Sequence, residues 1–172
     1  MQGLTFVALP FFFEDVLMRS QVETGFLLTP WPLMVAIMAP IGGRLSDRHP
    51  AGLLGGIGLV VLCIGMVLLA TLPAEPSVIN IVWRMMICGI GFGFFQTPNM
   101  RALMLSAPPH RSGSASGIVG TARLTGQTTG AALAALCFAL ADHNGAVVAL
   151  ALGAGFAGLG SIMSFLRLAV AR

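Results

Sequence analysis

Five stretches of predominantly apolar residues, at about 24–43, 51–72, 78–105, 113–141 and 145–168, constrain this chain more than any other feature. A helix rises 1.5 Å per residue, so crossing a hydrocarbon core about 30 Å thick takes roughly 20 residues, and each stretch is long enough. Lipid offers no partner for backbone N–H and C=O groups, which leaves helices or a closed barrel as spanning structures. A barrel needs runs of about 10 alternating residues. These runs are longer and apolar on every face, which predicts an all-α integral membrane protein. A sixth helix is expected over 1–18, but its apolar part reaches Glu14 and Asp15 too soon for a full crossing. It reads as the outer part of a helix whose beginning is missing. The expected organisation is therefore one transmembrane bundle over 1–172, five full spans plus a truncated first one.

Composition excludes the soluble alternative. Hydrophobic residues make up 56% of the 172 and charged residues only 9%, against roughly 25% charged in soluble domains. Mean hydropathy is +0.92. All nine basic residues are Arg, and they are scattered between apolar runs without forming a stripe, so the net charge of +3 does not indicate nucleic acid as a partner. Their placement carries orientation instead, because short cytoplasmic loops retain basic residues. Arg44, Arg48, Arg101, Arg111, Arg167 and Arg172 fall in alternate loops and at the C-terminus, while the opposite loops hold Arg19 against Glu14, Asp15, Glu23, Glu75 and Asp142. The first set is expected in the cytoplasm, with a multi-pass chain in the cell membrane and a cytoplasmic C-terminus.

Catalytic and cofactor readings find little support. Cys63, Cys88 and Cys137 lie singly inside apolar runs, and His49, His110 and His143 fall in three separate loops, so neither metal ligation nor thiol chemistry is expected. Gly153-x-Gly155-x-x-Gly158 matches a dinucleotide-binding pattern by letter only, because no βαβ context surrounds it. No cofactor and no enzyme activity is expected. The start lacks a basic segment ahead of its apolar run, so no cleavable signal is expected either. Glycines within the spans, such as the pairs Gly113 and Gly117 or Gly126 and Gly130, predict close helix contact.

Two charges lie inside spans, Arg84 and Arg123, and an arginine there costs at least ~2.5–3.5 kcal/mol on insertion scales. Arg84 stands near the outer face and either snorkels outward or serves a site. Arg123 is deeper, with Thr121, Thr125, Gln127, Thr128 and Thr129 beside it, which fits a water-filled cavity, an interhelical hydrogen-bond network or packing. Gln96, Thr97, Pro98 and Asn99 form a second polar break, either a hinge or the end of a helix. Glu14 and Asp15 are either proton-coupling acids or solvated loop residues.

The tight segment Gly43-Arg44-Leu45-Ser46-Asp47-Arg48, followed by Gly52, places an acid between arginines where two helix ends meet. Topology requires the arginines but not Asp47, which suits a charge-assisted latch to a neighbouring helix end or basic side chain. The pattern Gly43-x-Leu45-x-Asp47-Arg48 with Gly52 resembles the signature loop of the major facilitator superfamily. Gly25-Phe26-Leu27-Leu28-Thr29-Pro30, Arg84 with Gly89-x-Gly91-x-Gly93, and Arg111 through Gly117 with Arg123, Gly126 and Gly130 resemble its fourteen-span drug:proton antiporter branch. The resemblance covers the whole chain. It implies a C-terminal half of a proton-coupled exporter of drugs or small hydrophobic compounds, working by alternating access. The implied partners are the lipid bilayer, a missing N-terminal half or a second copy, a small hydrophobic substrate and protons. The alternative is a truncated, non-transporting membrane protein that only associates with partner helices. Candidate transport or gating residues are Arg123, Arg84, Gln127, Gln96 and Asn99, and the signature-loop residues are Gly43, Arg44, Asp47, Arg48 and Gly52.

Overall fold

A computed structural model describes residues 2–73, 75–108, 110, 112–141 and 144–170. Arg111, Asp142 and Arg172, which entered the reading of orientation, and His143, weighed as a metal ligand, lie outside the described residues. Helices α1 (Gln2–Phe11), α2 (Gln21–Leu28), α3 (Pro30–Leu45), α4 (Ala51–Ala70), α5 (Val78–Leu105), α6 (Ser112–Ala141) and α7 (Gly145–Val170) follow one another, with no strand among the described residues. Five are long and apolar enough to cross a membrane, counting α2 and α3 as one span, Gln21–Leu45.

That span starts three residues before the expected position because Ser20 and Glu23 form a capping box. The Glu23 backbone N–H donates to Ser20 Oγ at 3.3 Å, and the Ser20 N–H donates to Glu23 Oε2 at 3.2 Å. Its interruption at Thr29 follows from Pro30 and Pro32, which have no N–H to give the turn before them. The Thr29 N–H donates to Gly25 O and Phe26 O, and its hydroxyl bonds Gly25 O at 2.8 Å, so the chain stays helical through the joint. The first helix also departs from expectation. It is not α-helical to residue 18: the turn Phe12–Val16 is π-helical, with the Leu17 N–H donating to Phe12 O at 3.1 Å, and Met18 adopts φ 52°.

Glycines set how closely the helices approach. Gly89-x-Gly91-x-Gly93 puts glycine on both faces of α5, because positions four apart share a face and positions two apart oppose. A Cβ at Gly89 would lie 2.5 Å from Trp31 O of α3, and one at Gly91 would lie 2.7 Å from Gly58 O of α4. Backbone-to-backbone approach of this kind lets α5 wedge between α3 and α4, where dispersion replaces the hydrophobic drive that lipid removes. Leu62, Met66 and Leu69 of α4, Ile81, Met85 and Cys88 of α5, and Leu150 of α7 fill the core around that wedge. On the other flank α1 lies against α6 and α7, and α4 against α7 joins the two groups. Helices α5 and α6 scarcely touch.

The expected glycine contact on α6 holds at one end only. Gly130 meets Leu4 N of α1, where an added Cβ would stand 2.8 Å away, whereas a Cβ at Gly113, Gly117, Gly120 or Gly126 would meet nothing within 4 Å. The half of α6 nearest residue 112 packs loosely, facing α5 across open space rather than against its backbone.

Candidate functional site

Gln96, Asn99 and Leu103 share one face of α5, and Val119, Arg123 and Gln127 share one face of α6, by helical spacing. These faces oppose each other across a cavity of about 320 Å³ that also touches Phe92, Phe95, Gly3 and Gly126. It runs from the middle of the bundle toward the end that carries Asp47. A second cavity of about 400 Å³ adjoins it between α5 and α7, sharing Phe95 and Asn99 and ending at Ser164 and Arg167. Arg167 Nη1 donates to Asn99 Oδ1 at 3.3 Å across this second space. Together they form a groove, apolar at its floor and polar along its rim.

Four of the candidates, Gln96, Asn99, Arg123 and Gln127, are brought together here. Arg123 lines this cavity and is exposed. Thr121, Thr128 and Thr129 hydroxyls bond back to Gly117 O at 3.0 Å, Leu124 O at 2.6 Å and Thr125 O at 2.8 Å in their own helix. Pro98 does not end its helix, since α5 continues to Leu105 with Pro98 buried inside it. The polar break is thus an interior one, with the Phe94 carbonyl released by the missing N–H.

Arg84 stands apart from the groove. Its Nη1 donates to Leu68 O in the last turn of α4, and its guanidinium lies 5.1 Å from the Trp83 ring centre. Leu68 O also accepts from the Thr71 hydroxyl at 3.2 Å, and a cation on a carbonyl of a helix's last turn acts as a cap favoured by the helix dipole. Arg19, which read only as a loop charge, makes a similar tie by donating to Pro76 O at 3.3 Å. Glu14 is half-buried and Asp15 exposed at the end of the π turn, away from the groove residues.

The signature loop closes on α5. Asp47 pairs with Arg101, whose Nη1 also reaches Ser46 Oγ at 2.8 Å and Gly43 O at 3.4 Å. Arg101 was missed as a partner because its charge had been assigned to topology. Arg44 and Arg48 are exposed, and Gly52 sits in the first turn of α4, where Ser164 Oγ of α7 donates to its carbonyl at 2.9 Å. The two side chains of the pair are 44% and 58% exposed, which holds its strength to about 1 kcal/mol. Asp47→Asn or Arg101→Leu should therefore lower the stability of the bundle by only about 1 kcal/mol, and the double variant should be no worse than either single one. Additive losses, read as thermal midpoints in detergent, would dissolve the pairing.

Five apolar spans and a polar groove between two loosely packed helices define a polytopic helical membrane protein. The sequence matches the Major Facilitator Superfamily over residues 1–131, and the chain belongs to that family. It is 51% identical over 167 residues to the uncharacterized transporter YebQ of Escherichia coli, covering 97% of this chain and 36% of that protein. It is 30% identical to the riboflavin transporter RibZ of Clostridioides difficile, over 67% of this chain and 25% of that protein. The quinolone resistance protein NorB of Staphylococcus aureus is also 30% identical, over 85% of this chain and 32% of that protein. The chain thus spans about a third or less of the length of these curated relatives.

Proposed function

We propose that the chain is the C-terminal bundle of a proton-coupled secondary transporter that exports drugs or other small hydrophobic compounds by alternating access. The observation that carries this reading is the groove. Gln96, Asn99, Arg123 and Gln127 converge from two helices that scarcely touch, in the middle of a predominantly apolar bundle. Polar groups at membrane depth are tolerated where they line a cavity, and loose packing between the helices that carry them permits the cavity to change shape. In this reading the Asp47 loop, Arg101 and the C-terminus face the cytoplasm, and an N-terminal half or a second copy forms the opposing wall. The names of the relatives support export of drugs, through a quinolone resistance protein and a multidrug resistance protein. A riboflavin transporter is also among them.

The test is efflux of a fluorescent hydrophobic cation from cells making the complete transporter, with and without an uncoupler. Export should fall to background when the proton gradient is collapsed. In the same cells His110→Cys should resist an impermeant thiol reagent applied outside. Export that survives the uncoupler removes the proton coupling, no export at all leaves a chain that only associates with partner helices, and outside labelling inverts the orientation.

A further inference from the structure

We infer that the groove between α5 and α6 receives its compound through a hydrogen-bond acceptor, a carboxylate on a flat aromatic body above all, held by the donors of Arg123 and Asn99, and that Arg167 turns the Asn99 amide for this. The inference rests on the exporter reading only for calling the occupant a transported compound, and it adds the chemical class. Charge gives the first argument. Arg123 lines the cavity of about 320 Å³ and Arg167 the adjoining one of about 400 Å³, and no acid lines either cavity among the described residues. Asp47, at the same end, is taken up by Arg101, while Glu14, Asp15, Glu23 and Glu75 fall at the other end of the spans. An anion entering this space therefore meets two guanidiniums that have no carboxylate partner, and a cation meets no counter-charge.

The Asn99 amide gives the second. Its side chain touches both cavities, and its Oδ1 accepts from Arg167 Nη1 at 3.3 Å. A guanidinium carries N–H donors and no acceptor, so the amide has one way to face it, oxygen first. The nitrogen and its two donors then stand on the side of the amide away from Arg167. Without that arginine the amide is free to turn over and offer the groove a lone pair. Gln96 and Gln127 carry a donor and an acceptor each, so they select neither kind of compound. The fixed polar content of the groove is thus the donors of Arg123 and Asn99, and a carboxylate or a carbonyl answers both.

The floor gives the third. Phe92 and Phe95 lie with ring centres 6.4 Å apart, and Phe95 is shared by the two cavities. Each cavity stands at the small end of the range of ligand sites, about 300–1,000 Å³, which suits a body of two fused rings. Contact with Phe95 holds such a body whatever its charge. A hydrophobic cation is therefore bound on its rings alone, and an acid of the same shape is bound more tightly.

The experiment titrates the complete transporter, held in lipid nanodiscs, with three probes on one ring system: 2-naphthoate, its methyl ester and 2-naphthylmethylammonium, with binding read by calorimetry. Affinity should fall in that order, with about tenfold between the anion and the cation, the worth of one hydrogen bond to a charged group. Arg123→Gln should weaken naphthoate about tenfold and the ammonium less than about twofold. The ester, uncharged and an acceptor only, reports the turning of Asn99. Arg167→Leu should weaken it about threefold in the parent and leave it unchanged in Asn99→Leu, a dependence that a merely structural Arg167 does not produce. Ammonium binding as tight as that of naphthoate, or no binding by any of the three, overturns the acceptor class. Equal losses from Arg167→Leu with and without Asn99→Leu overturn the turning of the amide. Transport is read separately in proteoliposomes: naphthoate bound in the expected order but not carried removes the exporter reading and leaves the inference, while preferential export of the ammonium removes the inference and leaves the exporter.

Discussion

On the exporter reading, Arg123→Leu in the complete transporter should reduce efflux by about 10- to 100-fold, the worth of one hydrogen bond from its guanidinium to a bound compound or the opposing wall. Membrane abundance should match or exceed that of the parent, because removing a charge from a span lowers the cost of insertion. Arg123→Lys should fall between the two, since Lys keeps the charge and loses the planar fork that holds several acceptors at once. Efflux rates at matched abundance measure this. Full activity of Arg123→Leu would reduce Arg123 to a determinant of topology and leave Gln96, Asn99 and Gln127 as the polar content of the groove.

Gly91→Leu should cost about 3 kcal/mol or more of bundle stability, while Gly117→Leu should change it by less than about 0.5 kcal/mol. The two positions look alike in sequence, each a glycine in a long apolar helix. Their surroundings differ: a Cβ at Gly91 would lie 2.7 Å from Gly58 O, a backbone atom with no freedom to turn aside, whereas at Gly117 it would meet nothing within 4 Å. Thermal unfolding of the two variants in detergent gives the comparison. Equal midpoints would show that the α4–α5 seam is looser than its geometry.

This contrast also marks the boundary of what the sequence makes legible. Spans could be read directly, because lipid enforces length and apolarity on every helix whatever its neighbours. The capping box at Ser20 and Glu23 was equally open to reading, as was the interruption by Pro30 and Pro32. Partnership was not. The letters that make Gly89, Gly91 and Gly93 a wedge are those of Gly113 and Gly117, and only the path of adjacent helices tells them apart. Arg101 was legible as a charge and not as the partner of Asp47, since the two lie 54 positions apart. Arg84 illustrates the reverse case, where an expensive intramembrane charge turns out to hold a helix end. The groove drew four of the five transport candidates together because polar residues in a span have few places to go, and those four stand on the facing sides of one opening.

The threonine hydroxyls of α6 carry a last consequence. Each of Thr121, Thr128 and Thr129 has spent its single proton on a carbonyl of its own helix. What these three side chains still hold outward is lone pairs and a methyl group, so acyl chains can touch them without stranding a donor. A neighbour bringing protons of its own, such as an amine or a bound water, would find receptors already oriented. At these three positions polarity is latent, disclosed to donors and concealed from hydrocarbon.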